Sequence, residues 1–441
     1  MPTAAFYTLG CKVNQYESFS LMDAFSAAGF TVVEPGEGAD VYIVNSCTVT
    51  ASGDKKSLQA VRRFRSQAPQ AVVVLCGCFP QAFPEKAQLT LEADIVMGSK
   101  NRSALLGAVL DKLSGKEGRL VDIPSHEQGE QFEKMHALPI SNRTRAFLKI
   151  QDGCERSCTY CIIPTARGPV RSKPLADIRE ELESLSGAGY KEAVLAGVNL
   201  SCYGQDMGLT LSDAIETAAQ AKGISRIRLG SLEPDLITDE DIARWALLRE
   251  GSPGQAMLCP HFHLSLQSCC DETLRRMNRR YTAADYRKTV EKLRSTFPGC
   301  AITTDIMTGF PGETQAEHDA SVAFVREIGF ARAHVFTYSA RAGTPAADMP
   351  DQVSRKVAAA RAREMTDVAG QGRLAFLRSR CLEGVTYPVL FESVDADGVY
   401  FGHTPCYTPV WVRALAARDL CGEIVAVRLT GVFEDGCLGE I

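Results

Sequence analysis

Gly153-Cys154-Glu155-Arg156-Ser157-Cys158-Thr159-Tyr160-Cys161 is the stretch that decides how this chain is read. It follows a short apolar strand expected at Ala146–Ile150, and its cysteines are spaced C-x3-C-x2-C. That spacing lets one loop offer three thiolates to three irons of a [4Fe–4S] cluster. The fourth iron has no protein ligand within the loop and is open to a small molecule. Zinc is the chemical alternative, but structural zinc sites take four Cys or His ligands and no fourth is evident here. Open coordination on three cysteines favours a reactive iron–sulfur centre.

The loop stands at the head of an alternating strand–helix series. Strands are expected at Ala146–Ile150, Ala193–Ala196, Arg226–Gly230, Phe262–Leu266, Ile302–Met307 and Ala333–Tyr338. Helices are expected between them at Leu175–Ala188, Leu211–Ala221, Thr238–Leu248, Ala283–Thr296 and Gln315–Ile328. Six such units read as a partial (β/α)6 barrel, whose active site forms at the C-terminal ends of its strands. A long helix at Val353–Arg380 follows, then short β-like runs at Val385–Glu392, Gly398–Thr404, Pro409–Val412 and Glu423–Leu429. Their length and turns suit a small β-barrel of the OB type.

Upstream, strands Ala4–Leu9, Val41–Asn45, Ala71–Leu75 and Asp94–Met97 alternate with helices near Glu17–Ala28, Asp54–Gln67 and Arg102–Leu113. This pattern implies a parallel sheet with right-handed crossovers. Cys11, Cys47 and Cys78 each stand where one of its strands ends. Parallel strands bring their C-terminal ends to one edge, so the three thiols converge although they lie about 30–36 residues apart, the length of one strand–helix–strand unit. Three separate core cysteines are the other reading; the same placement occurring three times favours convergence. Gly10, Gly77 and Asn45 suit tight strand exits. Cys76 competes with Cys78 but lies inside the strand, so Cys78 is preferred. The fold class is therefore α/β, and the domains expected are 1–116 (parallel sheet), 117–140 (linker, with a short strand near Gly118–Ile123), 141–370 (barrel) and 371–441 (small β-barrel).

Composition sets bounds. A chain of 441 residues fits two or three domains. No apolar run reaches the ~20 residues of a membrane helix, and the N-terminus carries no secretory pattern, so a cytoplasmic protein without membrane contact is expected. Sixteen cysteines in a reducing compartment point to metal or redox chemistry rather than structural disulfides. Cys300, Cys381, Cys421 and Cys437 stand alone in sequence and read as small hydrophobes. The net charge of −5 argues against bulk nucleic-acid binding but leaves room for a local basic face.

With these motifs in hand, the chain resembles the methylthiotransferases of the radical S-adenosylmethionine (SAM) superfamily over its whole length. The cysteine loop is similar to the superfamily signature, the first part to the methylthiotransferase domain with Cys11, Cys47 and Cys78 on its cysteines, and the tail to a TRAM domain, a small RNA-binding barrel. Gly10-Cys-Lys-Val-Asn14, Gln15-Tyr-Glu-Ser18, Gly53-Asp-Lys-Lys-Ser57, Leu148-Lys-Ile-Gln-Asp-Gly153 and Cys161-Ile-Ile-Pro-Thr-Ala-Arg-Gly168 look like the branch acting on N6-threonylcarbamoyladenosine beside the tRNA anticodon. The runner-up branches act on isopentenyladenosine or on ribosomal protein S12. A different class is a non-catalytic iron–sulfur or zinc protein that binds RNA. One departure stands out: Gln267-Ser-Cys-Cys270 replaces the Gln-Ser-Gly usual in the family and puts a thiol pair where small residues are expected.

The resemblance implies two [4Fe–4S] clusters, on Cys11/Cys47/Cys78 and on Cys154/Cys158/Cys161, with SAM as cosubstrate, a flavodoxin- or ferredoxin-like electron donor, and a monomer working on a tRNA anticodon stem-loop. No side chain attacks an aromatic C–H bond by acid–base chemistry, so catalysis is cofactor-borne. Candidate SAM contacts are Tyr160, Asn199, Ser231, Glu233, Gln267, Gly309 and Gly312. Basic groups expected to meet RNA are Lys55, Lys56, Arg62, Arg63 and Arg65; Arg143, Arg145, Lys149, Arg167, Arg171 and Lys173; and Arg275, Arg276, Arg279 and Arg280. In the tail, Tyr400, Phe401, His403 and Tyr407 are candidates either to stack on bases or to fill the barrel. The tail's Arg373, Arg378, Arg380, Arg413, Arg418 and Arg428 are outnumbered by its acids, so RNA binding there would be weak or rest on shape.

Overall fold

A computed structural model describes residues 1–135, 144–413 and 419–441; Arg143 and Arg418 lie outside them. The N-terminal sheet is parallel throughout, in the order β2-β1-β3-β4-β5-β6. Its strands are β1 Thr3–Thr8, β2 Thr31–Val33, β3 Val41–Ser46, β4 Val72–Gly77, β5 Ile95–Met97 and β6 Leu120–Asp122. β3 is central and buried along its whole length, which its run of apolar residues anticipates for a parallel strand covered on both faces. The strand expected near Gly118–Ile123 is β6, at the sheet edge. β2 is an exposed three-residue edge strand and carries too little pattern to be read from sequence. Helix α1, Lys12–Ala27, starts directly after Cys11, five residues before the expected helix; helix α2 is Ala51–Gln67.

The barrel strands are Arg145–Lys149, Glu192–Ala196, Arg226–Leu229, His261–Leu264, Ala301–Thr308 and Arg332–Thr337. All neighbours are parallel. The third strand pairs with the second up to Leu229, and beyond Gly230 its continuation Ser231–Leu232 pairs with the fourth. Gly230 is thus the corner at which one parallel sheet becomes the next. A Cβ there would lie 3.1 Å from the carbonyl oxygen of Leu195. Four of the covering helices begin with capping boxes: Thr210 with Asp213, Thr238 with Asp241, Thr282 with Asp285 and Thr314 with Glu317. Each threonine accepts a backbone N–H while the acid three residues on accepts the threonine's own, which fixes where the crossover ends.

The long helix Arg355–Arg378 leads to a closed five-stranded barrel. Its last strand, Gly436–Glu440, was not foreseen. Cys381 and Cys437, read as solitary, meet with their sulfurs 3.7 Å apart. Among the described residues no helix is long and apolar enough to cross a membrane.

Candidate active site

β1, β3 and β4 are adjacent, so Cys11, Cys47 and Cys78 leave the same sheet edge. Gly10, at φ +105°, makes the approach possible: a Cβ there would come within 2.9 Å of the Cys47 Cβ. The Asn14 amide donates to the Leu9 carbonyl (2.7 Å) and the Ser46 carbonyl (2.9 Å) and ties two strand exits together. Asn45 donates to the Asn14 carbonyl at 3.0 Å. These two asparagines are structural clamps around the thiols. Cys76 is buried in the core beneath them.

The second trio sits on a loop gripped at both ends. Gly153 has φ +73°, and a Cβ there would fall 1.8 Å from the Pro169 carbonyl oxygen, so no other residue fits. Asp152 accepts the Gly153 N–H at 2.8 Å, and the Cys154 N–H donates to the Gly168 carbonyl at 3.0 Å. Polar groups point at the sulfurs. The Asn199 amide lies 3.7 Å from Cys154 Sγ, Arg279 Nη1 3.4 Å from Cys158 Sγ, and Arg167 Nε 3.2 Å from Cys78 Sγ. Donors aimed at sulfur suit anionic thiolates. Burial pushes the Cys47 thiol up to about 11 and the Cys161 thiol up to about 12, so both need a metal's charge to ionise. Among the described residues no three Cys, His, Asp or Glu side chains close on the volume of a single ion.

Beside Cys161 lies a cavity of about 600 Å³, lined from the N-terminal domain by Val49, Thr50 and Ser52, which follow Cys47, and from the barrel by Tyr160, Cys161, Gln267, Asp305, Met307 and Tyr338 among others. Of the candidate SAM contacts, Tyr160 and Gln267 line it. Asn199 sits at Cys154, and Glu233 pairs with Arg279. Ser231 is exposed at the end of the third strand. Gly309 packs against Ala358 of the long helix, where a Cβ would come within 2.4 Å, and Gly312 packs against Arg276. Asp305, Met307 and Tyr338 were not singled out from sequence. Their signal is alternation: each is an inward-facing position near the C-terminal end of the fifth or sixth strand.

The basic residues around the loop are a correction to the sequence reading. Lys149, Arg167, Arg171 and Lys173 are buried and none offers a surface to RNA. Arg167 donates to Glu17 Oε1 at 2.5 Å and Oε2 at 3.0 Å, and approaches Asp152 Oδ2 at 3.3 Å. Lys149 reaches Glu17 at 2.7 Å and Asp152 at 2.5 Å. Lys173 pairs with Glu181. Burial alone would raise the Glu17 carboxyl, but Arg102, Arg167 and Lys149 outweigh it and hold it down to about 2. Arg145 pairs with Glu392 of the tail at 2.9 Å. Arg276 and Arg279 are also engaged, with Glu317 and Glu233. Lys55, Lys56 and Arg280 remain exposed. In the tail, His403 stacks on Tyr407 (centroids 4.5 Å apart) and pairs with Glu392, while Tyr400 packs on Phe391 in the core. Cys269 is likewise core, while half-buried Cys270 stands at the N-cap position of the helix Asp271–Arg276 without a side-chain cap bond.

A second latch holds the sheet on the barrel. Arg341, after the sixth strand, donates to Thr48 Oγ1 at 2.8 Å and to Asp54 at 2.5 Å, beside Cys47. Arg341→Ala is expected to weaken the contact by about 1–3 kcal/mol. A lower unfolding midpoint at unchanged iron content would show it.

A three-cysteine loop after the first strand of a partial (β/α)6 barrel defines a radical SAM enzyme. The sequence matches the Radical SAM superfamily over residues 148–325 and the group described as "Uncharacterized protein family UPF0004" over residues 3–98. It is 36% identical to the threonylcarbamoyladenosine tRNA methylthiotransferase MtaB of Bacillus subtilis, over 97% of this chain and 94% of that one. It is also 36% identical to the protein of the same name from Thermotoga maritima, over 99% and 96%. The chain belongs to the radical SAM methylthiotransferase family, in the MtaB branch. Its cofactors are SAM and iron–sulfur clusters. Among solved structures, the radical SAM methyltransferase TsrM from Kitasatospora setae shares the fold, with TM-score 0.55 and 13% identity over 90% of this chain and 79% of that one.

Proposed function

We propose that this protein inserts a methylthio group at C2 of N6-threonylcarbamoyladenosine, next to the anticodon of tRNA. The reading is supported by the cavity that Cys161 of the barrel loop lines together with Val49, Thr50 and Ser52, the residues that follow Cys47. In this reading, Cys154, Cys158 and Cys161 hold one [4Fe–4S] cluster and Cys11, Cys47 and Cys78 hold the other. The bound cofactors supply the radical and the sulfur-borne methyl group. The chain's own residues position and shield: Arg279 and Asn199 orient the cysteine loop, Arg167 couples the two trios, and Tyr160 and Gln267 wall the space where SAM and the flipped base meet. The units are 1–116, the linker 117–140, the barrel 141–370 and the tail 371–441, the long helix crossing the last boundary. The enzyme is taken to act as a cytoplasmic monomer, reduced by a flavodoxin- or ferredoxin-like protein, with a TRAM-type tail steering the anticodon stem-loop.

Nucleoside mass spectrometry of tRNA from cells with and without the protein tests this. The methylthio derivative of threonylcarbamoyladenosine is expected to vanish on deletion and its unthiolated precursor to accumulate. Loss of the isopentenyladenosine derivative instead would assign the protein to the other tRNA branch.

A further inference from the structure

Lys149, Arg167, Arg171 and Lys173 are engaged inside the molecule, but the basic residues of helix α2 face outward. Its exposed residues include Ser52, Lys55, Lys56, Gln59, Arg62 and Arg63, and none of its exposed residues is an acid. At 3.6 residues per turn these six positions share one face. The other side carries the buried Ser57, Ala60, Val61 and Phe64. The helix's one carboxylate, Asp54, also turns away, to Thr48 and Arg341. Lys55 and Lys56 make no hydrogen bond and no ion pair with any described residue. Arg63 lies over the Tyr7 and Phe64 rings, 5.3 and 4.6 Å from their centroids, without a carboxylate among the described residues. Of the exposed bases only Arg62 meets an acid, Glu92 at 3.2 Å, and such a surface pair contributes little. In a chain of net charge −5, this face is a local basic surface with almost no counter-charge.

The face starts at the cavity beside Cys161. Thr50 and Ser52 line that cavity, as do Val49 and Phe336, which are 54% and 38% exposed and so mark its mouth. The Ala51 N–H donates to Ser339 Oγ, another lining residue, at 3.3 Å, which fixes the start of α2 to the barrel side of the mouth. Lys55 and Lys56 stand one turn beyond Ser52, and Arg63 lies about 10 Å further along the helix axis. A base extruded from an RNA strand into this mouth leaves its flanking phosphates at the rim. We infer that the outer face of α2 is a phosphate-binding surface for that RNA. Lys55 and Lys56 hold the backbone beside the extruded nucleotide, and Arg63 holds it two turns away. This rests on the proposed tRNA substrate. The contact is separate from the tail, and it sets position without reading sequence.

The test uses the full-length reconstituted enzyme and two fluorescent anticodon stem-loop RNAs. They differ only at the target base, which is N6-threonylcarbamoyladenosine in one and plain adenosine in the other. Fluorescence anisotropy at stepped salt concentrations gives the affinities. The neutral triple variant Lys55→Gln, Lys56→Gln, Arg63→Gln is expected to bind both RNAs about 10- to 100-fold more weakly at low salt, with a salt slope smaller by about 2–3. The charge-keeping variant Lys55→Arg, Lys56→Arg, Arg63→Lys should bind both as the wild type does. Iron content and unfolding midpoint, measured on both variants, report whether the fold is kept. A correctly folded neutral variant with wild-type affinity and slope would overturn the inference. So would a loss confined to the modified RNA, the mark of a base contact. A neutral variant that keeps both RNAs but is no longer reduced by a flavodoxin-like protein would overturn it too, by giving the face to the electron donor. Failure of the wild-type enzyme to bind either stem-loop would sink the proposed function itself, a result read without any variant.

Discussion

Replacing Arg167 with methionine is expected to loosen the joint between the N-terminal sheet and the barrel and to expose the Cys78 side of the site. Arg167 is buried and touches Cys78, Asn14, Glu17 and Asp152 at once. Removing one partner from a buried charge network leaves the others uncompensated, which costs about 3–5 kcal/mol. The loss should appear as a lower unfolding midpoint and as iron lost first from the N-terminal trio. The double variant Arg167→Met with Glu17→Met should lose less than the sum of the two single losses, because both side chains belong to one network with Arg102 and Lys149. Additive losses in that cycle would mean that the pair is not coupled.

The second large effect separates the two trios. Cys154, Cys158 and Cys161 changed together to alanine should abolish formation of 5′-deoxyadenosine from SAM. Cys11, Cys47 and Cys78 changed together should leave SAM cleavage measurable and abolish methylthio transfer. Each variant should retain about four of the about eight irons of two [4Fe–4S] clusters. The asymmetry follows from position. The Cys154/Cys158/Cys161 trio lies on the barrel loop beside Tyr160 and Asn199, whereas the N-terminal domain lines the cavity only through residues that follow Cys47.

Much of this was legible in the sequence. Barrel strands such as Glu192–Ala196 before Gly197 were legible because buried parallel strands are apolar runs closed by glycine or polar residues. Both thiol trios were proposed because each cysteine ends a strand or follows the spacing of one loop, and Cys11, Cys47 and Cys78 do follow β1, β3 and β4. What could not be read was which charges are buried. Lys149 and Arg167 look like an RNA-binding fringe until Glu17 is placed against them from 132 and 150 residues away. Gly309 and Gly312 announce a close approach but not its partner, which proves to be Ala358 for one and Arg276 for the other. The start of α1 at Lys12 was missed because Cys11 supplies no side-chain cap and no capping box marks the spot.

Electron paramagnetic resonance of the fully reduced protein tests the central claim most directly: two sulfur-ligated centres face a common cavity. The spectrum is compared with the sum of the spectra from the two triple-alanine variants. Centres that share one cavity interact magnetically, so the wild-type spectrum should be broader than that sum. A wild-type spectrum that reproduces the sum would contradict the account.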